Sequence, residues 1–367
     1  MQDEGFPIIE YRRGATPREW GRAHGEAHRE GIQELFEIRL ALMQEKNGAL
    51  TPAVVEQLAG EQWDATEKLD PLLADELLGI GEGAGLTNTQ LVVVNNYTDF
   101  RDIQPGEGTR LQDEGCSAVF VDTGAGAIAG QTWDMHGSAK RFVCCLDVPV
   151  PDSEERMVVF SIVGCLGMMG YTSWRTAVGV NNINTDGARP GVVWPALVRK
   201  TLAQRTHDAM VSQLKDAAVT SGHNYLVASR TADHQSRAEM WEVMPDLAEC
   251  ASRYGESNRR IYHTNHCLAG QAVAREQAAA LNSSTHIRYD LIEKKINAIS
   301  SFDDVYALLN DHENYPQSIC SNHQTSALDP AITCGGAVGD LTNGRVTMWR
   351  GDELYDDNFV RHEFRFD

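Results

Sequence analysis

The stretch EGCSAVFVDTGAGAIAGQTWDMHG, residues 114–137, holds two short β-prone runs, Ser117–Asp122 and Ala127–Trp133, on either side of a Gly124-Ala125-Gly126 turn. Branched and aromatic residues flanking a glycine turn read as a β-hairpin. The chain changes texture here. Upstream it is helical: Thr16-Pro17-Arg18-Glu19 is a capping box with proline at the first helical position, and an apolar stripe runs from Trp20 to about Glu45, where Asn47-Gly48 stops it. Thr51-Pro52 and Asp70-Pro71 open a second and a third helix, the third ending near Gly83–Gly85, and Thr87-Asn88-Thr89-Gln90 caps a fourth. Downstream, strands are expected over Phe142–Val150, Met157–Val163, Thr176–Asn181, Asn224–Ser229, Ala238–Val243, Ile261–Asn265, Ala331–Asp340, Arg345–Trp349 and Phe359–Phe366. Helices are expected over Val192–Arg205, His207–Val219, Ser284–Ile299 and Phe302–Asn310. Blocks of helices alternating with blocks of strands predict a layered α+β fold with mainly antiparallel sheets. No repeat or linker divides the chain, so residues 1–367 are expected to form a single domain.

The net charge of −20 and 42% apolar content describe a globular protein with a core and an acidic field. That field repels phosphate and anionic lipid, which argues against a nucleic-acid or membrane partner. The opening MQDEGFPIIEYRR lacks a basic and apolar leader, and no run approaches the roughly 18 apolar residues of a membrane span. A cytoplasmic location is the expectation. The eight cysteines have no C-x-x-C spacing, and reduced thiols are expected.

Candidate chemistry narrows by elimination. His24 and His28, four apart on one helix face, have the geometry of a zinc pair but no H-E-x-x-H and no obvious third ligand, and His263, His266 and Cys267 have no second cluster of matching spacing; a surface or hinge role is expected for the first pair, and no metal for the protein. GIGEGAG at 79–85 follows a helical pattern, which makes it a helix stop rather than a phosphate loop. No G-x-S-x-G is present. Cysteine chemistry remains, either with a histidine base in the papain manner or by a second route. If the Gly115–Cys116 bond is broken, Cys116 becomes an N-terminus whose own α-amine, with a reference pKa of roughly 7.7–8.0, can activate its thiol. Glycine before it would tolerate the strained backbone that such a cleavage requires.

The stretch 114–137 resembles the nucleophile segment of the acyl-CoA:6-aminopenicillanate acyltransferase family, autoproteolytic N-terminal nucleophile hydrolases. The similar features are G-C-S opening a strand, a glycine turn, and G-Q-T-W-D on the return strand. RRGATPREWGRAHGEAHREGI, GVVWPALVRKTL, SGHNYLVAS, HTNHCL, SSTHIR and GDLTNGRVTMWRGDE follow in the same order. The resemblance implies a four-layer α-β-β-α sandwich, autocleavage between Gly115 and Cys116 into a helical subunit (1–115) and a larger one (116–367) that stay associated, and acyl transfer through a thioester. It implies Cys116 as nucleophile, Asp134 holding the freed amine, and the Asn265 side chain with the Met135 backbone N–H as oxyanion donors. Tyr171, Arg175 and Arg288 are candidates for lining the substrate pocket or anchoring a loop. In the family a basic residue follows the Ile-Cys near the C-terminal end; here Ile319-Cys320 is followed by Ser321-Asn322-His323, which argues against a penicillin-type acceptor.

The expected activity is therefore that of an autoprocessed cysteine amidohydrolase acting on a small amide or thioester, with no cofactor and with homo-oligomerisation open. The alternatives are acyl transfer to an amine, a papain-like thiol hydrolase that does not cut itself, and a non-catalytic binding protein on the same fold.

Overall fold

In a computed structural model, residues 5–103, 115–151, 153–255, 257–277, 284–321 and 329–366 are described. A short strand β1 (Ile8–Glu10) precedes five helices: α1 (Pro17–Ala27), α2 (Arg29–Lys46), α3 (Pro52–Leu69), α4 (Pro71–Ala84) and α5 (Asn88–Ile103). The capping box at Thr16 forms as expected, Thr51 and Asp70 cap α3 and α4, and Gly85 closes α4 in the left-handed conformation, φ 75°. The single long first helix expected from Trp20 onward is two. His28 leaves helical geometry between α1 and α2.

GIGEGAG does more than stop a helix. Gly79 and Gly83 lie inside α4, and Gly21 and Gly25 inside α1. A Cβ on Gly21 would stand 1.9 Å from the Glu76 carbonyl oxygen, one on Gly25 2.2 Å from that of Ile80, and one on Gly79 2.2 Å from that of Arg18. The four glycines let the two backbones touch, which no larger residue permits.

The rest of the chain supplies two sheets. One has eight strands: β1, β4 (Val143–Pro149), β5 (Arg156–Ile162), β6 (Met169–Thr172), β7 (Thr176–Asn182), β8 (His223–Arg230), β9 (Ser236–Met244) and β10 (Leu247–Arg253). The other has six, in the order β11 (Arg260–His263), β2 (Ala118–Asp122), β3 (Ala127–His136), β12 (Ala331–Asp340), β13 (Arg345–Arg350) and β14 (Val360–Arg365). Pairing is antiparallel throughout except where β1 joins β4 in parallel. Strands β1, β6 and β10 have no counterpart in the sequence reading.

The sheets face each other. Gln131 on β3 reaches across to the backbone of Val180 on β7, and Trp133 meets Phe160 edge to face at 6.2 Å. Helices α6 (Trp194–Leu202) and α7 (His207–Lys215), with the N-terminal helices beside them, cover the eight-stranded sheet. After the one-turn α8 (Gly270–Val273), helices α9 (Thr285–Ile296) and α10 (Phe302–Leu309) cover the other. Strand alternation divides β2 accordingly: Ala118 and Phe120 enter the main core, while Val119 and Val121 pack with Leu291, Ile292 and Leu309 under the outer helices. The result is a helix–sheet–sheet–helix order, as expected. No described helix is long and apolar enough to cross a membrane. No disulfide joins the cysteines, and all but Cys250 are buried.

Candidate active site

Cys116 lies just before β2, buried beside the end of β3, which returns Trp133, Asp134 and Met135 to the same place. A cavity of about 30 Å³, the room of roughly one water molecule, is lined by Cys116, Trp133, Asp134 and Met135 and, from the opposite sheet, by Asn182 and His223. Here β12 breaks register against β3, between the Thr333–Asp134 and Gly335–Trp133 pairs, the kind of bulge that re-aims side chains next to a site.

Arg288, on the buried face of α9, organises the rest. Its Nη1 donates to the Cys116 carbonyl oxygen at 2.9 Å and to Ser117 Oγ at 3.0 Å, and its Nη2 donates to Asn265 Oδ1 at 2.8 Å. A guanidinium only donates, so the carboxamide of Asn265 must turn its oxygen to Arg288 and its NH2 the other way. One of those two N–H groups goes to the backbone oxygen of Asn182 at 2.8 Å. The second N–H is left for another acceptor. Thr285 Oγ1 accepts from the Asn265 backbone N–H at 2.7 Å and fixes the loop.

Gly115 is explained by space. It is not among the residues with positive φ. A Cβ there would lie 2.1 Å from Arg288 Nη2 and 3.2 Å from Asn265 Oδ1. Glycine lets the guanidinium sit flat against the chain at the Gly115–Cys116 bond.

Asp134 is 5% exposed, and its Oδ1 has no hydrogen-bond partner among the described residues. Burial pushes its carboxyl up to about 7, against the pull of Arg288 and the Thr333 hydroxyl. A buried carboxylate beside Cys116 with one oxygen unengaged is suited to receive an ammonium.

Cys116, Asp134 and Met135 thus line one cavity, and Arg288 ties Cys116 to Asn265 beside it. Tyr171 and Arg175 are not at the cavity. Tyr171 points between the sheets, where its hydroxyl donates to the Ala129 oxygen at 2.9 Å and its ring fills the space over Gly339. Arg175, at φ 65° in the β6–β7 turn, reaches the Phe366 oxygen at 3.3 Å and anchors the C-terminal edge. Of the Ser321-Asn322-His323 departure only Ser321 is described, bonded to Thr333; Asn322 and His323 lie outside the described residues.

His24 is not a surface residue. It is buried, accepts from the Gly164 N–H at 2.9 Å, and is driven down to about 3 by burial and by His28. His263 is taken by Glu242 at 2.8 Å. Among the described residues, His312, Cys320 and Asp352 stand close enough together to share a metal ion, but Asp352 is already held by His312 at 2.8 Å and by the Leu354 N–H at 2.9 Å.

Residues 121–353 match the family model described as acyl-coenzyme A:6-aminopenicillanic acid acyl-transferase, a match that begins after Cys116. The chain is 27% identical over 306 residues to the acyl-coenzyme A:6-aminopenicillanic-acid-acyltransferase 40 kDa form of Emericella nidulans, covering 83% of this chain and 82% of that one. Solved structures similar to it include a variant of conjugated bile acid hydrolase from Clostridium perfringens, at 8% identity over 69% of this chain and 97% of that one with a TM-score of 0.41. Another is penicillin V acylase from Agrobacterium tumefaciens, at 12% identity over 66% and 87% of the two chains with a TM-score of 0.33. The chain is therefore an acyl-transferring enzyme, and it belongs to the acyl-coenzyme A:6-aminopenicillanic acid acyl-transferase family.

Proposed function

We propose that the protein cuts its own Gly115–Cys116 bond and then uses Cys116, as a chain end, to hydrolyse a small N-acyl amide through a thioester. In the first step Cys116 Sγ adds to the Gly115 carbonyl carbon, the C–N bond breaks as the nitrogen takes a proton, and water hydrolyses the resulting thioester. A carboxylate at Gly115 and a free thiol and α-amine at Cys116 remain.

In turnover the α-amine takes the thiol proton and Sγ adds to the substrate carbonyl. The second Asn265 N–H and the Met135 backbone N–H receive the oxyanion, where fixed donors act most strongly. The α-ammonium returns its proton to the departing amine, Asp134 balances its charge, and water releases the acid from Cys116. The observation that carries this reading is the seat of Arg288 against Gly115: one guanidinium grips the Cys116 carbonyl and orients the Asn265 amide, and only a residue without Cβ leaves it room.

A histidine base has a candidate in the cavity, His223, but burial lowers its imidazole to about 4, a poor match for general base work near neutrality. Family membership favours, as the second reading, transfer of the acyl group to an amine in place of water.

Denaturing electrophoresis with N-terminal sequencing tests the proposal. The active protein should run as two fragments, the larger starting at Cys116, and Cys116→Ala should run as one full-length chain without amidase activity. A fully active enzyme with the 115–116 bond intact would overturn it.

A further inference from the structure

The wall of the cavity facing Cys116 is built of hydrogen-bond acceptors. Asn182 Oδ1 and His223 Nδ1 are buried there without a partner among the described residues. His223 is 3% exposed, and its Nε2 stands 3.5 Å from Asp99 Oδ1, an oxygen that already accepts from Thr98 at 3.3 Å. With the ring proton on Nε2, toward this acceptor, the neutral imidazole presents Nδ1 as a lone pair. Asn182 lines the same cavity and gives its backbone oxygen to Asn265.

Behind this wall the charge is negative. Asp99 is fully buried, its Oδ2 has no partner among the described residues, and burial holds its carboxyl up to about 7 against nearby donors and the charge of Arg101. Asp102, also buried, is the neighbour paired with Arg101, at 3.2 Å. A buried carboxylate that keeps one oxygen without a partner among the described residues, next to a substrate cavity, fits a cation that arrives with the substrate. The volume, about 30 Å³, suits a group the size of an ammonium.

We propose that Asn182 and His223, backed by Asp99, form a subsite for a protonated primary amino group on the substrate, and that the enzyme processes amides bearing such a group close to the scissile bond. The inference rests on Cys116 being the nucleophile. It disfavours substrates that place a carboxylate at this wall.

The test uses the processed wild-type enzyme and nitrophenyl esters of three short acids of matched length: 3-aminopropanoic, butanoic and butanedioic. Acylation of Cys116 is followed by mass spectrometry of the large fragment. A second arm compares butanoyl amides of 1,2-diaminoethane and propylamine, and so tells an amino group on the acyl half from one on the leaving half. The expected result is an ammonium preference of roughly ten- to a hundredfold in one arm, the range for a charge-assisted hydrogen bond. Asp99→Asn should shrink that ratio, which a merely structural role would leave in place. Equal rates in both arms, or a preference for the neutral or carboxylate partner, overturn the subsite while Cys116 remains the nucleophile. Failure of every ester to acylate Cys116 overturns the nucleophile assignment and the subsite with it.

Discussion

Glu76 and Asp134 are carboxylates buried almost equally, 1% and 5% exposed, yet they are treated in opposite ways. Both oxygens of Glu76 are engaged: Arg199 donates to Oε1 at 3.2 Å and to Oε2 at 3.0 Å, and the Tyr11 hydroxyl donates to Oε1 at 2.8 Å. Asp134 keeps an oxygen without a partner among the described residues, and its carboxyl is held near 7. The fold can neutralise a buried charge with a bidentate arginine and does so where the charge only ties helices to strands. At Asp134 it does not, and that carboxyl stands beside Cys116. The contrast separates architecture from chemistry.

The largest effect should come from breaking the satisfied side. Arg199→Leu strands Glu76 in the core and should cost about 3–5 kcal/mol, read as a lowered midpoint of urea unfolding. On the other side, Asn265→Ala should slow acyl transfer by about 10²–10³ through loss of one oxyanion donor, with KM changed far less than kcat; equal turnover would remove Asn265 from the site.

The smallest effect sharpens the comparison most. The folded carboxyl of Asp134 titrates near 7, above its ordinary value of 3.8. Its native state favours the proton, so stability from this group is complete below about pH 4 and is lost as pH rises toward 7. In Cys116→Ala, where the chain end cannot form, Asp134→Asn should flatten the fall in Tm between pH 4 and 8 and raise Tm by roughly 1–3 °C at the upper end, while remaining inactive. A lower Tm at pH 8 would mean that the carboxylate is satisfied after all.

How much of this was legible from the residues depended on distance along the chain. Helix starts were readable because capping is local: Thr16, Thr51 and Asp70 act on backbone within three residues of themselves. The 118–136 hairpin was readable because its turn and alternation lie in one short stretch, and the resemblance that points to Cys116, Asp134 and Met135 is carried by the same stretch. The break at His28 was hidden, since the apolar stripe continues through it. The glycines of α4 looked like a helix stop because their partners in α1 lie more than fifty residues away. Arg288, read only as a candidate for lining the pocket or anchoring a loop, carried a further signal: it shares a helical face with Leu291 and Ile292, and a cation on an apolar stripe is a request for a buried partner. His223 gave none, for its meaning depends on a cavity that only the paired sheets create.

The ties around Glu76 have one more consequence. Glu76 to Arg199, His24 to the Gly164 amide, the Thr66 hydroxyl to the Val193 amide, and β1 against β4 each join a residue before position 115 to one after it. A nick at that point would leave no loose half. The small piece lends an edge strand and a counter-ion to the large one, so the two should travel together through any non-denaturing purification and come apart only when both unfold.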